Sequence, residues 1–375
     1  MAAVAPGCRS DPRPFDDEAL AALGLSSIPG LGPRRFRLLV ERHGSARAAL
    51  AALRAGETDV PLPRGLRVRG RTARSAEQSV VARSLPEGAR VVSFGMPVYP
   101  AELGRLDDPP PVLWLHGPLA PGSGRAVCVI GTRRATEYGR RMARRLAAGL
   151  AEAGWRVVSG LARGVDAEAH RGALEAGGET VGVPGCGLGH FYPASSRALY
   201  GALSRRGLLL TEFPPGERPA PAYFPRRNRI LAGLARAVVV VQAGARSGAL
   251  ITARQALDIG VDVLAVPGRA DLEASEGVHA LLRDGAGVVT RVSDVLDALG
   301  DVRPHPQADA PVHLAAAGDA GPGRILRRLR GGPTHVDVLA REAALAIPET
   351  LALLGRLEAE GAVRGLPGGR YEAAR

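Results

Sequence analysis

Six short, almost unbroken apolar runs alternate with helical stretches through the middle of the chain, and this alternation constrains the fold more than any other feature. The runs fall at residues 126–130, 156–159, 180–183, 208–210, 237–241 and 261–266. A strand with one wet face alternates apolar and polar residues, whereas a strand buried on both faces reads as a continuous apolar run. Such runs interleaved with helices imply a mostly parallel sheet covered on both sides, an α/β architecture. Ligands on sheets of this kind sit beyond the C-terminal ends of the strands. The loops that follow the runs are therefore the places to look for function.

The first run leads into Gly131-Thr132-Arg133-Arg134, ahead of a helix beginning near Thr136-Glu137. Glycine at a strand exit lets backbone approach a ligand, and a helix N-terminus favours an anion. Arg133 adds a guanidinium fork. The loop is not Gly-x-Gly-x-x-Gly, so a dinucleotide site is not indicated. In the helix that follows, Arg140, Arg141, Arg144 and Arg145 pair at i,i+4 and read as solvated surface. The second run opens into Ser159-Gly160-Leu161-Ala162-Arg163-Gly164-Val165-Asp166. Asp166 and His170 lie one helical turn apart. They read as an acid–base pair, as two metal ligands, or as a helix-start carboxylate with a hydrogen-bonded histidine. No third ligand or nucleophile stands near, which favours the last. Ser159 lacks the Gly-x-Ser-x-Gly elbow of hydrolases. The fifth run reaches Arg246-Ser247-Gly248 before another helix, a second anion-friendly terminus, and the sixth ends in Pro267-Gly268.

Between the fourth and fifth runs stands Tyr223-Phe224-Pro225-Arg226-Arg227-Asn228-Arg229-Ile230. Arginine forks grip phosphate or carboxylate bidentately, and neighbouring aromatics stack on bases. Taken alone, the cluster reads equally well as ion pairs at a helix start. Taken together, segments 131–133, 159–164, 226–229 and 246–248 are expected to meet at one sheet edge, as a single basic cleft without a nucleophile or metal. The net charge of +12 points to a polyanionic partner. All 49 basic residues are arginine, however, a bias that coding composition also explains. Cys8, Cys128 and Cys186 are too few and too scattered for a disulfide framework or a metal pattern, which fits a reduced, cytoplasmic setting. The N-terminus carries Arg9, Asp11, Asp16 and Asp17 and does not read as a signal peptide. No apolar run is long enough to span a membrane.

The two ends differ from the middle. Residues 1–15 read as disordered. From Asp16 to about Leu53 the pattern is helical, broken at Ile28-Pro29-Gly30-Leu31-Gly32-Pro33. That turn resembles a helix-hairpin-helix, whose second helix start suits a phosphate, and reads equally as a plain corner between helices. Past Gly300 a stretch rich in Pro, Ala and Asp reads as a linker. Helices are then expected at 324–330, 336–343 and 348–360, followed by two short strands about the Gly-rich turn near Pro367-Gly368-Gly369. This order resembles a winged helix. Its near-neutral charge favours protein interaction, or a domain that has lost its DNA binding, over active duplex reading.

The loops of the middle segment carry a family resemblance. Gly131-Thr132-Arg133, the run from Ser159 to Asp166 with His170, Phe224-Pro225-Arg226-Arg227-Asn228-Arg229-Ile230-Leu231-Ala232-Gly233-Leu234, Arg246-Ser247-Gly248-Ala249-Leu250-Ile251-Thr252-Ala253 and Val266-Pro267-Gly268 resemble the DprA/Smf DNA-processing family. Tyr99-Pro100 ahead of Pro109-Pro110-Pro111-Val112-Leu113-Trp114 joins them. The match covers roughly residues 98–300, in order and at matching spacing. Gln242 stands where that family usually has Glu, and His190 where an acidic residue is common.

The resemblance implies an extended Rossmann-like, doubly wound, mostly parallel sheet over residues 91–300. It is flanked by an N-terminal helical domain of helix-hairpin-helix or SAM type at 16–90 and, after a linker at 301–322, a C-terminal winged-helix-like domain at 323–375. It implies single-stranded DNA as ligand, a RecA-type recombinase as partner, a homodimer, and no cofactor or catalytic residue. The implied role is a recombination mediator that protects incoming DNA and loads the recombinase in natural transformation. The DNA-contacting residues would be Gly131, Thr132, Arg133, Ser159, Gly160, Gly164, Phe224, Arg226, Arg227, Asn228, Arg229, Arg246, Ser247 and Gly248, with Asp166, His170 and Thr252 as polar support. Which of Arg226, Arg227 and Arg229 faces the ligand stays open, and one of them can pair with Asp166. Two other readings are weighed. A nucleoside-monophosphate phosphoribohydrolase needs Pro-Gly-Gly-x-Gly-Thr-x-x-Glu, but Ala243-Gly244-Ala245-Arg246-Ser247-Gly248-Ala249-Leu250 lacks the glutamate. A regulator would act through the winged helix.

Overall fold

The computed structural model describes residues 15–62, 85–301, 321–343 and 345–374. The stretch expected to be disordered lies outside them except for Phe15, as do residues 63–84 of the helical domain and nearly all of the expected linker. The chain divides into two compact units, residues 1–308 and 309–375. Among the described residues no helix is long and apolar enough to cross a membrane.

The first unit starts with three helices, α1 (Asp17–Ser26), α2 (Pro33–His43) and α3 (Ala46–Ala55). The sequence pattern placed one break here, at 28–33, and the structure adds another at Gly44-Ser45. Gly44 closes α2 in the left-handed region, at φ 82°, and the Ser45 hydroxyl caps α3 by accepting from the Ala48 N–H at 3.1 Å. The Glu18 carboxylate of α1 accepts from the Ala46 and Arg47 N–H groups at 2.5 and 3.2 Å, so a negative charge sits at the positive end of α3. The apolar side of this helical layer, with Leu25, Phe36 and Leu39, is continuous with Trp114, Leu161 and Leu203 on the sheet-bearing part of the unit. Phe15 meets the Trp114 ring edge-on at 6.0 Å between centroids.

The sheet has nine strands. Its elements run β1 (Ala89–Ser93), β2 (Val112–His116), β3 (Ala126–Gly131), α4 (Glu137–Glu152), β4 (Arg156–Ser159), α5 (Val165–Glu175), β5 (Thr180–Gly182), α6 (Arg197–Arg206), β6 (Leu208–Thr211), α7 (Tyr223–Leu234), β7 (Ala237–Gln242), α8 (Gly248–Asp258), β8 (Asp262–Ala265), α9 (Glu276–Arg283), β9 (Gly287–Val288) and α10 (Val292–Ala298). The spatial order is β1-β2-β6-β5-β4-β3-β7-β8-β9. Pairing is parallel from β6 to β9, and β1 and β2 add antiparallel strands beyond β6. The six expected strands are present. The apolar-run criterion missed the half-buried β1, the β2 strand that follows a Pro-rich stretch, and the exposed two-residue β9.

The continuous apolar runs have a direct cause. Along β3 and β7, Cys128, Ile130, Val238 and Val240 join one core with α7, α8 and α9. Their neighbours Val127, Val129, Val239 and Val241 join a second core with α4, α5 and α10. Both faces of the central strands are covered, so neither set of alternate residues is polar. The chain winds outward from β3 to one side through β4, β5 and β6, then returns to pair β7 on the other side of β3. That reversal is a topological switch point, where strand ends diverge and leave a crevice.

The second unit contains α11 (Gly321–Leu329), β10 (Thr334–His335), α12 (Val336–Ala343), α13 (Ile347–Ala359), β11 (Val363–Leu366) and β12 (Arg370–Ala373). Its sheet is ordered β10-β12-β11 around a core that includes Ile325, Leu339 and Leu354. Three helices and a terminal hairpin give the winged-helix architecture, with β10 as the strand the sequence pattern did not show.

Candidate nucleic-acid interface

A cleft of about 400 Å³ opens at the switch point, beyond the ends of β3 and β7. Gly131, Thr132, Arg133 and Arg134 enter it from the exit of β3, Ala162 and Asp166 from the segment around the start of α5, and Phe224, Pro225, Arg227 and Asn228 from α7. Ser247, Gly248, Ala249, Ile251 and Thr252 enter it from the start of α8. The Ser247 hydroxyl caps α8 by accepting from the Ala249 N–H at 3.3 Å, and Gly248 faces open space. Thr136 caps α4, and the Gln242 side-chain oxygen accepts from both the Thr136 N–H (2.9 Å) and its hydroxyl (3.2 Å). Gln242 is thus a neutral acceptor that fixes the start of α4. Helix starts with free N–H groups form natural anion seats.

The floor of the cleft is built from buried charge. Arg227 is only 4% exposed. Its Nη1 donates to the Gly160 carbonyl at 2.7 Å and to the Val183 carbonyl. Asp166 lies beside it and accepts from the Ala162 N–H at 3.4 Å. A Cβ at Gly160 would stand 2.5–2.7 Å from both guanidinium Nη atoms and from Asp166 Oδ2, so only glycine fits there. Gly164 turns into α5 at φ 80°, against the Thr132 carbonyl. Burial pulls Arg227 below the ordinary guanidinium value, and the Asp166 charge works against that fall. Burial pushes Asp166 upward, while Arg227 and the N–H groups of Ala162, Gly160 and Gly131 favour its ionised form. The floor is therefore close to electrically balanced. The positive character of the site comes from its rim, where Arg133, Arg134 and Arg246 are exposed and form no ion pair among the described residues. Arg133 rests 4.9 Å above the centroid of the Phe224 ring.

Several residues expected in the site are placed elsewhere. Arg229, 7% exposed, bonds Glu212 at 2.8 Å and Asp108 at 3.3 Å and does not reach the cleft. Arg226 clasps the same Glu212 oxygen at 2.7 and 3.0 Å and lies over Phe213. Burial raises the Glu212 carboxyl, and these two guanidiniums oppose that rise. The arginine cluster is thus largely the ion-paired helix start that its sequence equally allowed. The Ser159 hydroxyl donates to the Val129 carbonyl at 2.7 Å inside the core. Gly164 lies buried behind the cleft, and Arg246 stands on the loop one residue before its wall. His170 is fully buried; its Nδ1 meets Thr180 Oγ1 at 2.7 Å, and that hydroxyl donates to the Val157 carbonyl at 2.8 Å. The network assigns the proton to Nδ1. His170 therefore ties α5 to β4 and β5 and does not bond Asp166. Among the described residues no cluster of three His, Cys, Asp or Glu side chains is arranged to hold a metal. Sequence reasoning overlooked Arg134, Ile251 and the aromatic Tyr192 beside Phe224. For Tyr192 the signal was two aromatics, Phe191-Tyr192, following the Gly-rich loop 185–189.

The model for DNA recombination-mediator protein A matches residues 90–300, the whole sheet and its cleft. The chain belongs to the DprA family. The DprA winged helix domain matches residues 304–369, and the DprA-like N-terminal HHH domain residues 16–82. Protein Smf of Synechocystis is 34% identical over 310 residues, 74% of this chain and 78% of that protein. The X-ray structure of DNA processing protein A (DprA) from Streptococcus pneumoniae superposes with a TM-score of 0.63 at 30% identity, covering 76% of this chain and 98% of that one. The structure of DNA processing protein A from Helicobacter pylori, which concerns its single-stranded DNA binding mode, has a TM-score of 0.51 at 29% identity over 57% of this chain and 96% of that one.

Two stability effects are expected of the buried groups Arg227 and His170. Replacing Arg227 by Met leaves Asp166 buried without its counter-charge and is expected to lower the unfolding free energy by about 3–5 kcal/mol in chemical denaturation; a loss below about 1 kcal/mol would show that the floor does not depend on this compensation. Burial lowers His170 to about 3, so the folded protein refuses a proton that the unfolded chain accepts below the ordinary imidazole value. Stability present at neutral pH is then lost as pH falls between the two values. The His170→Gln variant is expected to show a shallower fall across that window, and an unchanged slope would remove His170 as its source.

Proposed function

We propose that this chain binds single-stranded DNA along the switch-point cleft and acts as a recombination mediator, without breaking bonds. The observation that carries the proposal is the rim of exposed arginines at helix starts above a charge-balanced floor. Arg133 and the N–H groups at the start of α8 hold phosphates; Thr132, Asn228 and Thr252 supply neutral polar walls. Such contacts go to the backbone, which makes binding sequence-tolerant and salt-sensitive. The family model's description as a recombination mediator and the subject of the H. pylori structure support this reading. Within it, the protein works as a homodimer joined through the sheet-bearing domain. It protects incoming DNA and loads a RecA-type recombinase during natural transformation, with the domain limits expected from the sequence.

The competing readings find less support. Asp166, the carboxylate that lines the cleft, is offset by Arg227, and the loop at 243–250 ends in the Ser247 cap rather than a glutamate. Both suit holding a phosphate more than cleaving a glycosidic bond. The exposed side of α13 presents Ile347, Leu351 and Glu358 on one flank and Glu349 beside Arg356 on the other, with a single arginine to meet duplex phosphates.

The test is fluorescence anisotropy on an oligothymidylate. Arg133→Glu is expected to weaken binding by at least about tenfold at moderate salt and to reduce the slope of log K against log salt, each lost phosphate contact being worth about 0.7. Unaltered affinity in the variant, or a wild-type preference for duplex, would contradict the proposal. Recombinase filament assembly on the same oligonucleotide tests the loading role separately.

A further inference from the structure

We propose that the strand leaves the phosphate cleft over Tyr192, which with Arg163 forms a second nucleotide subsite where a base stacks on the tyrosine ring. The proposal deepens, and rests on, the single-stranded DNA reading.

Phe224, the aromatic expected to stack on a base, is already covered. Arg133 lies over its ring, the Tyr192 ring packs against it at 5.4 Å and 47°, and Gly185 sits close enough that a Cβ there would come within 2.8 Å of its Cδ1. Phe224 therefore works as a wedge that positions Arg133 and Tyr192. The free aromatic surface beside it belongs to Tyr192, which is 41% exposed and whose hydroxyl makes no hydrogen bond among the described residues. Phe191, its neighbour, packs instead on Tyr200 with Arg197 above it.

The loop that carries Tyr192 is fixed. Cys186 accepts from the Thr211 hydroxyl at 2.9 Å, the Gly187 N–H donates to Glu217 at 2.9 Å, and the Gly216 N–H to Leu188 at 3.0 Å. His190, which stands where the family often has an acid, donates from Nε2 to the Gly216 carbonyl at 2.9 Å. The Tyr200 hydroxyl donates to the Tyr192 carbonyl at 3.3 Å. A rigid, exposed aromatic gives up little entropy when a flat ring lands on it. A second, much smaller cleft of about 20 Å³ between Tyr192 and Arg163 shares Arg133, Ala162 and Phe224 with the first, so the two are contiguous and the stacked base lies on the outer face of the Tyr192 ring. Arg163 is exposed and unpaired among the described residues, in reach of the phosphate that follows the stacked base.

The test uses the full chain and two oligonucleotides of about twenty nucleotides, oligothymidylate and an abasic chain of equal charge. Tyr192→Leu is expected to weaken oligothymidylate binding by about tenfold, while Tyr192→Phe stays within about twofold of wild type. On the abasic chain both variants are expected to match wild type. A Tyr192→Leu protein that binds oligothymidylate as wild type does, or that loses as much on the abasic chain, overturns the subsite. If Arg133→Glu still abolishes binding in that case, the phosphate cleft stands alone. Wild type binding neither oligonucleotide overturns both. Because Tyr192 is at the surface, the melting temperature of each variant reports separately on folding.

Discussion

Arg227 and Asp166 sit side by side under Gly160, inside the sheet edge and out of water, and much of the architecture serves to make that placement tolerable. The guanidinium is stapled to carbonyls that follow β4 and β5, the carboxylate to N–H groups around the ends of β3 and β4. Through these two side chains the starts of α5 and α7 are locked to the strand ends. A buried charge without a partner is too costly to persist, so the pair also fixes where the helices begin. The close approach requires glycine at 160, and the turn into α5 requires it at 164. The cleft is in this sense a consequence of how one ion is neutralised.

Neutralising the floor leaves the rim to decide what binds. Arg226 and Arg229 are held by Glu212 and Asp108, so most of the arginine cluster anchors α7. Arg133, Arg134 and Arg246 remain exposed at loops that follow β3 and β7. Helix starts aim N–H groups at the same space, and a polyanion that meets them loses its counterions rather than its sequence identity. Arg227 and Arg229 are buried and Arg226, half exposed, is ion-paired, so these three hold the shape, whereas Arg133, Arg134 and Arg246 stay open to solvent.

Much of this was legible in the sequence because both-face burial writes itself as unbroken apolar runs. The six central strands, the switch-point loops and the approach of Arg133 to the start of α7 follow from that signal. Strands β1 and β9 did not, being edge-placed and half-wet or short, and β2, though buried, was hidden behind its Pro-rich lead-in. The orientation of the arginines was not legible either. Positions 226, 227 and 229 point in different directions from one helical turn, and the groups they bond, Glu212, the Gly160 and Val183 carbonyls and Asp108, lie on other elements. His170 illustrates the same limit: its spacing from Asp166 is right for a pair, yet its Nδ1 hydrogen-bonds the Thr180 hydroxyl ten residues on. Tyr192 was hidden because nothing local says that a loop 32 residues before Phe224 folds back onto it.

The central claim is that a single strand lies across the N–H groups and arginines at the switch point. Hydrogen–deuterium exchange of the full chain, with and without a saturating oligothymidylate, tests it most directly. The account predicts slowed exchange at residues 131–135, 224–228 and 247–250, with α13 unchanged. Protection confined to the winged helix or to α1–α3, with the switch-point loops exchanging as in the free protein, would contradict it.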